Sequence, residues 1–258
     1  MTFTDPSRAT RPRGAEPGHA GRRLTIVLRW PVSASGRPVP GRMPLVVFAH
    51  GYAVQTSTYG ALLDDVAAAG NVVAAPEFPG QSAALPGAPD EADLANEPCD
   101  VEFVADTIER DPPPEISGAL LAGRVVFVGH SDGATAVAAA AYEHHPCGGP
   151  TPVAVVTLSV RDVPIDLAPG SPSPLLLAVT GTADEINPEA NTVQLWNHAP
   201  PPAWLLTVAD GTHLGTFTTD PDRRQVSTVI ADFIRSAATD RPIALPVPND
   251  GRLNITSR

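Results

Sequence analysis

Apolar and polar positions alternate along Arg23-Leu24-Thr25-Ile26-Val27-Leu28, the two-residue period of a strand with one buried face. An early, antiparallel strand is expected there. The pattern then changes. Leu45-Val46-Val47-Phe48-Ala49 and Val125-Val126-Phe127-Val128 are unbroken apolar runs, as are parts of Asn71–Ala75, Pro152–Ser159, Leu175–Thr180 and Trp204–Val208. Such runs suit strands of a parallel sheet covered on both faces. Helical spacing falls between them. It predicts a helix over Ser57–Ala69 that ends at Gly70, and another over Asp100–Arg110 that stops before Pro112-Pro113-Pro114. Further helices are expected over 132–144, Glu189–Asn197 and Pro221–Ala238. Strands and helices alternate throughout, so the expected class is α/β with a mostly parallel sheet. Residues 76–98, rich in proline and glycine, read as one long loop.

With 258 residues the chain is large enough for one domain with a sizeable core. Residues 1–21 are rich in Arg, Pro and Gly and are expected to form a mobile tail. The folded domain is expected over 22–239, with a polar, proline-containing extension over 240–258. The net charge of −11 excludes nucleic acid as an expected partner and disfavours polyanionic substrates. All 17 basic residues are arginine, so Schiff-base lysine chemistry and a P-loop lysine are excluded. No apolar run approaches the roughly 20 residues of a membrane span, and residues 1–21 lack the apolar core of a leader. The expectation is a cytoplasmic protein without a membrane partner, or a secreted one if a leader has been removed. Cys99 and Cys147 have no ligand partners at zinc spacing, so no metal is expected. They are expected to be free thiols on opposite faces of the sheet.

Gly129-His130-Ser131-Asp132-Gly133 adds chemistry to this frame. The five residues lie between a buried strand and an alanine-rich helix, the setting of a nucleophile elbow. A serine hydroxyl needs a base, and the base needs a carboxylate. In parallel sheets such partners lie beyond the carboxyl ends of strands. Of the seven histidines, His213 alone follows the last core strand on a strand-to-helix loop. Asp184 follows Leu175–Thr180 in the same way, with Glu185 and Asp210 as competitors. The expected triad is Ser131, His213 and Asp184. The oxyanion donors are expected to be the backbone N–H groups of Asp132 and Tyr52, the latter in His50-Gly51-Tyr52-Ala53 after strand 45–49.

The order Ser131, Asp184, His213, with His50-Gly51 and the elbow, resembles the α/β-hydrolase superfamily. Asn96-Glu97-Pro98-Cys99-Asp100-Val101-Glu102-Phe103-Val104 is similar to a stretch of its chlorophyllase-like, dienelactone-hydrolase-like and polyester-hydrolase-like members. His50-Gly51-Tyr52 is similar to the oxyanion loop of bacterial cutinases. The resemblance covers about residues 23–237. It implies an α/β-hydrolase fold and a cofactor-free serine hydrolase that cleaves carboxylic esters through an acyl-enzyme. Alternatives on the same triad are amidase, thioesterase or acyltransferase chemistry, polyester hydrolysis, and a non-catalytic binding protein. Two departures stand out. Dienelactone hydrolases carry a cysteine nucleophile. Polyester hydrolases carry a tryptophan clamp where this chain has Ser159-Val160-Arg161-Asp162-Val163. Only about 15 residues separate strands 153–159 and 175–180, too few for a large lid. The site is therefore expected to be open, rimmed by 52–58, 76–98 and 160–174, and to take a neutral ester with a short or medium acyl chain.

Overall fold

A computed structural model describes residues 1–32, 41–143, 147–161, 167, 173–245 and 251–258. The chain forms β1 (Thr2–Asp5), β2 (Arg22–Arg29), β3 (Met43–Ala49), α1 (Gly60–Ala68), β4 (Val72–Glu77), α2 (Glu97–Arg110), β5 (Leu120–His130) and α3 (Asp132–Tyr142). It continues through β6 (Ala154–Leu158), β7 (Leu175–Gly181), α4 (Glu189–His198), β8 (Ala203–Val208), α5 (Gly215–Thr218), α6 (Asp222–Ala238) and β9 (Leu253–Ser257). Short 3₁₀ turns at Thr56–Tyr59 and Glu91–Asn96 lead into α1 and α2.

The nine strands of the described residues join one sheet in the order β1-β2-β4-β3-β5-β6-β7-β8-β9. The six from β4 to β8 are parallel, and β1, β2 and β9 pair antiparallel at the flanks. The unbroken apolar runs have a direct cause in this arrangement. On β3, Leu45, Val47 and Ala49 enter one core with residues of α2, α3 and α4. Val46 and Phe48 enter a second core, on the other face, with residues of α1 and α6. β5 splits in the same way, with Val125 and Phe127 on one side and Val126 and Val128 on the other. Both faces are dry, so no polar alternation survives in the central strands.

Three expectations need correction. The first concerns the ends of the chain. Residues 1–21 are laid on the body rather than trailing from it: β1 pairs with β2, and Thr10 pairs with His19. Arg13 is buried, donating to the carbonyls of Pro79 and Ala88. Arg8 reaches Asp5 and Asp100. A four-residue strand shows no periodicity, and guanidinium-to-carbonyl anchoring leaves no apolar signature. Beyond residue 239, β9 adds a mostly polar strand to the edge of β8 for the same reason.

The second concerns residues 76–98. They are not one loop: β4 runs to Glu77, a 3₁₀ turn covers Glu91–Asn96, and α2 starts at Glu97. Fully buried Arg22 binds both Asp93 and Asp100, fixing the entry to α2 against the start of β2.

The third concerns the cysteines. Cys99 and Cys147 form a disulfide, with Cα atoms 5.5 Å apart. The expectation of opposite faces rests on a helix of about 12 residues spanning roughly 18 Å. Five residues of chain can span about 17 Å, so the length of the helix does not by itself keep the two cysteines apart. Cys147 meets the first turn of α2, and the Gly149 N–H donates to Glu102 at 3.1 Å.

Candidate active site

The elbow follows from close packing at the end of β5. A Cβ on Gly129 would lie 2.1 Å from the Gly133 carbonyl oxygen, and one on Gly133 would lie 2.3 Å from that of Ala49. Only hydrogen at both positions lets the strand, the turn and the neighbouring β3 meet this tightly. Ser131 takes the resulting strain at φ 56° and ψ −120°, a region that L-residues rarely occupy. Its N–H donates to Leu158 O at 2.9 Å, tying the elbow to β6.

Asp184 and His213 sit on the loops that follow β7 and β8. The two loops are bound together, the Ala183 N–H donating to Gly211 O at 2.9 Å. The His213 Nδ1 lies 3.0 Å from each carboxylate oxygen of Asp184. Asp184 Oδ1 also accepts the N–H groups of Ile186 and Asn187, at 2.9 and 2.8 Å. Burial pushes this carboxyl upward, but the His213 bond and the two backbone donors outweigh it and hold Asp184 below the ordinary aspartate value. Glu185 accepts the backbone N–H of His213 at 3.2 Å, so it touches the loop and not the ring.

Ser131 and His213 line one pocket of about 380 Å³ with Gly51, Tyr52, Val54, Ile186 and Asn187. Asp132, Glu91 and Arg161 complete its polar wall; Arg161 pairs with Glu91 at 2.5 Å and Asp132 at 3.4 Å. The Ser131 Oγ accepts from Asn187 Nδ2 at 3.4 Å. Among the described residues no hydrogen bond links it to the His213 ring; in the absence of substrate such bonds are often long. Among the same residues neither the Tyr52 nor the Asp132 N–H is taken by a backbone carbonyl. The 160–174 rim lies mostly outside the described residues.

The structure thus brings Ser131, Asp184, His213, Tyr52 and Asp132 together. Sequence reasoning missed Asn187, which lies three residues beyond Asp184 on the same loop. Glu91 and Arg161 fall in the stretches 76–98 and 160–174 expected to rim the site, but neither residue was singled out. Other histidines lie elsewhere: His19 on the N-terminal segment, His198 at the end of α4, and His50 buried, its ring bonded to Gly51 O and the Phe78 N–H. His144 and His145 lie outside the described residues. Among the described residues no cluster of His, Cys, Asp and Glu could hold a metal, and no helix is long and apolar enough to cross a membrane.

Residues 31–151, just under half of the chain, match the model of the family described as Chlorophyllase. No curated protein matches the chain. Strand order and elbow give the chain an α/β architecture of the α/β-hydrolase type, and the stretch from before β3 to just before β6 is similar to the Chlorophyllase family.

Proposed function

We propose that this protein is a cofactor-free serine hydrolase that cleaves neutral carboxylic esters of short to medium acyl length through an acyl-enzyme. His213 takes the proton of the Ser131 hydroxyl as the oxygen attacks the ester carbonyl. Asp184 holds the imidazole and stabilises the imidazolium. The N–H groups of Tyr52 and Asp132 receive the oxyanion. His213 then protonates the leaving alcohol, and water repeats the sequence on the acyl-enzyme to release the acid and regenerate Ser131.

One observation carries this reading. The elbow serine opens into the same pocket as a histidine whose other nitrogen is centred on a buried carboxylate. The substrate class rests on the pocket. Its wall mixes Tyr52, Val54 and Ile186 with one arginine already paired to two carboxylates, so among the described lining residues no arginine is left unpaired for an anionic substrate. Among the described residues its apolar wall comes from Tyr52, Val54, Ile186 and Leu214. Each added CH₂ contributes about 0.8 kcal/mol only while wall remains to cover it.

The test is labelling with an active-site fluorophosphonate followed by kinetics on p-nitrophenyl esters of increasing chain length. Labelling should fall on Ser131, and catalytic efficiency should rise over the first few carbons and then level off. Labelling at another residue would discard the mechanism. Efficiency that climbs steadily to long chains, with a jump at an emulsion interface, would discard the substrate class.

A further inference from the structure

A single hydrogen-bonded chain crosses the floor of the site. The Gly51 N–H donates to Tyr59 Oη at 3.3 Å, Tyr59 Oη lies 2.7 Å from His130 Nδ1, and His130 Nε2 lies 2.9 Å from the carbonyl oxygen of His213. Only one arrangement of protons satisfies every link. A carbonyl can only accept, so Nε2 carries the imidazole proton. A neutral imidazole then leaves Nδ1 bare. The Tyr59 hydroxyl therefore donates to Nδ1 and accepts from Gly51. Each position of the chain is directional, and each is used.

We infer that Tyr59 and His130 are positioning residues that lock the oxyanion loop and the base loop into one unit. This rests on the Ser131–His213–Asp184 reading of the site. His213 is held through both ends of its own backbone: its N–H by Glu185 and its C=O by His130. With the main chain clamped, the ring falls with Nδ1 on Asp184. At the other end, the bond from Tyr59 fixes Gly51, the residue before the expected oxyanion donor Tyr52. His130 precedes Ser131 directly, so the clamp is referenced to the nucleophile itself.

The surroundings keep the chain rigid and in one protonation state. Tyr59 and His130 are fully buried. The His130 ring is packed by Tyr59 at 5.4 Å, His213 at 4.6 Å and Phe217 at 5.2 Å between centroids. Burial, and then repulsion from His213, push His130 down to about 3, so it stays neutral wherever the enzyme would work. A charged imidazolium there would reverse the Tyr59 bond, deprive the Tyr59 hydroxyl proton of its Nδ1 acceptor, and oppose the charge that His213 acquires during turnover.

The experiment compares Tyr59→Phe, His130→Gln and His130→Leu with the wild type. It reads kcat and KM on a p-nitrophenyl ester, the rate of fluorophosphonate labelling, thermal midpoint, and the low-field proton resonance of the His213–Asp184 bond. Tyr59→Phe removes one oxygen and frees His130 to exchange tautomers. It should lower kcat and the labelling rate by about 3- to 10-fold, the worth of one such bond, with KM within about twofold. His130→Leu removes the donor to His213 and should cost more and broaden or shift the low-field resonance. His130→Gln restores a donor and should recover much of that loss. Wild-type kcat and labelling rate in Tyr59→Phe, with His213→Ala inactive, would overturn the positioning role and leave the triad standing. His213→Ala that still labels and turns over would overturn the triad, and the positioning role with it. Should His130→Leu fail to fold, Tyr59→Phe decides alone.

Discussion

Asp184→Asn keeps the shape of the acid and removes its charge, and the structure dictates which way the new amide must turn. The N–H groups of Ile186 and Asn187 both point at Oδ1. Two donors cannot face an NH₂, so the amide oxygen takes that position. The NH₂ then falls where Oδ2 was, 3.0 Å from His213 Nδ1. Nδ1 also lies 3.0 Å from the Oδ1 position, but the oxygen there already accepts two N–H groups, so the NH₂ facing Nδ1 favours the tautomer with the imidazole proton on Nε2. That is the nitrogen needed to take the proton of Ser131, and it is already occupied. The imidazolium also loses its counter-ion. Charge centres about 3–4 Å apart at an effective dielectric of about 20 interact by roughly 4–5 kcal/mol, or about 10³- to 10⁴-fold in rate at 1.36 kcal/mol per decade. The side chain of Asp184 is fully buried and that of His213 is 12% exposed, so solvent offers little screening. Turnover of p-nitrophenyl acetate should therefore fall about 10³- to 10⁴-fold. Glu185→Gln, run in parallel, keeps an oxygen able to accept the His213 N–H and should stay within about threefold. A small loss in Asp184→Asn, or a larger one in Glu185→Gln, would show that the acid has been misassigned.

Ser131→Ala should lose several orders of magnitude in turnover while remaining folded; retention of even about a tenth of the activity would assign the nucleophile elsewhere. Thiol titration of the unfolded, unreduced protein should find no free thiol, and two after reduction. With the cysteines 48 positions apart in the sequence, loss of the bond in Cys99→Ser should cost about 4 kcal/mol by the loop-entropy relation, read as a drop in denaturant midpoint. A pair of thiols before reduction would contradict the pairing. Glu97 is fully buried, and neither carboxylate oxygen has a hydrogen-bond partner among the described residues. Burial, and then Asp100, Asp132 and Asp93, push it well above the ordinary glutamate value. The folded state thus keeps a proton that the unfolded chain releases above about pH 4.3, and stability falls as pH rises through that window. Glu97→Gln removes this loss, so its thermal midpoint should exceed that of the wild type by more at pH 8 than at pH 5; a gap that stays constant or shrinks would refute the assignment.

The central strands and the site were legible for a shared reason. β3 through β8 are buried on both faces, so their apolar runs are long and unmistakable. Ser131, Asp184 and His213 each follow such a run, and a parallel sheet places all its carboxyl ends together. The flanks were not legible because other forces hold them. β1 and β9 are short edge strands fixed by backbone pairing. The 76–98 stretch is fixed by Arg22 with Asp93 and Asp100, an ion cluster whose members lie 71 and 78 residues apart. Neither leaves a local period. The Tyr59–His130 link was hidden for the same reason: the hydrogen-bond partners of His130 come from two connections distant in the chain, the one between β3 and α1 and the one between β8 and α5.

The placement of β1 and β9 at the two borders of the sheet decides how the protein tolerates truncation and fusion. Each covers a longer neighbour, β2 or β8, whose backbone would otherwise present a free row of donors and acceptors. An uncovered row of that kind is a template for pairing with another molecule. The outer strands are poor templates themselves: β1 has four residues, and β9 has five and is flanked by Arg252 and Arg258. Removal of residues 253–257 would bare β8 with Trp204 and Leu206 still on it. Shortened forms should therefore be lost to self-association before they are lost to unfolding, with Ser131, Asp184 and His213 still in place.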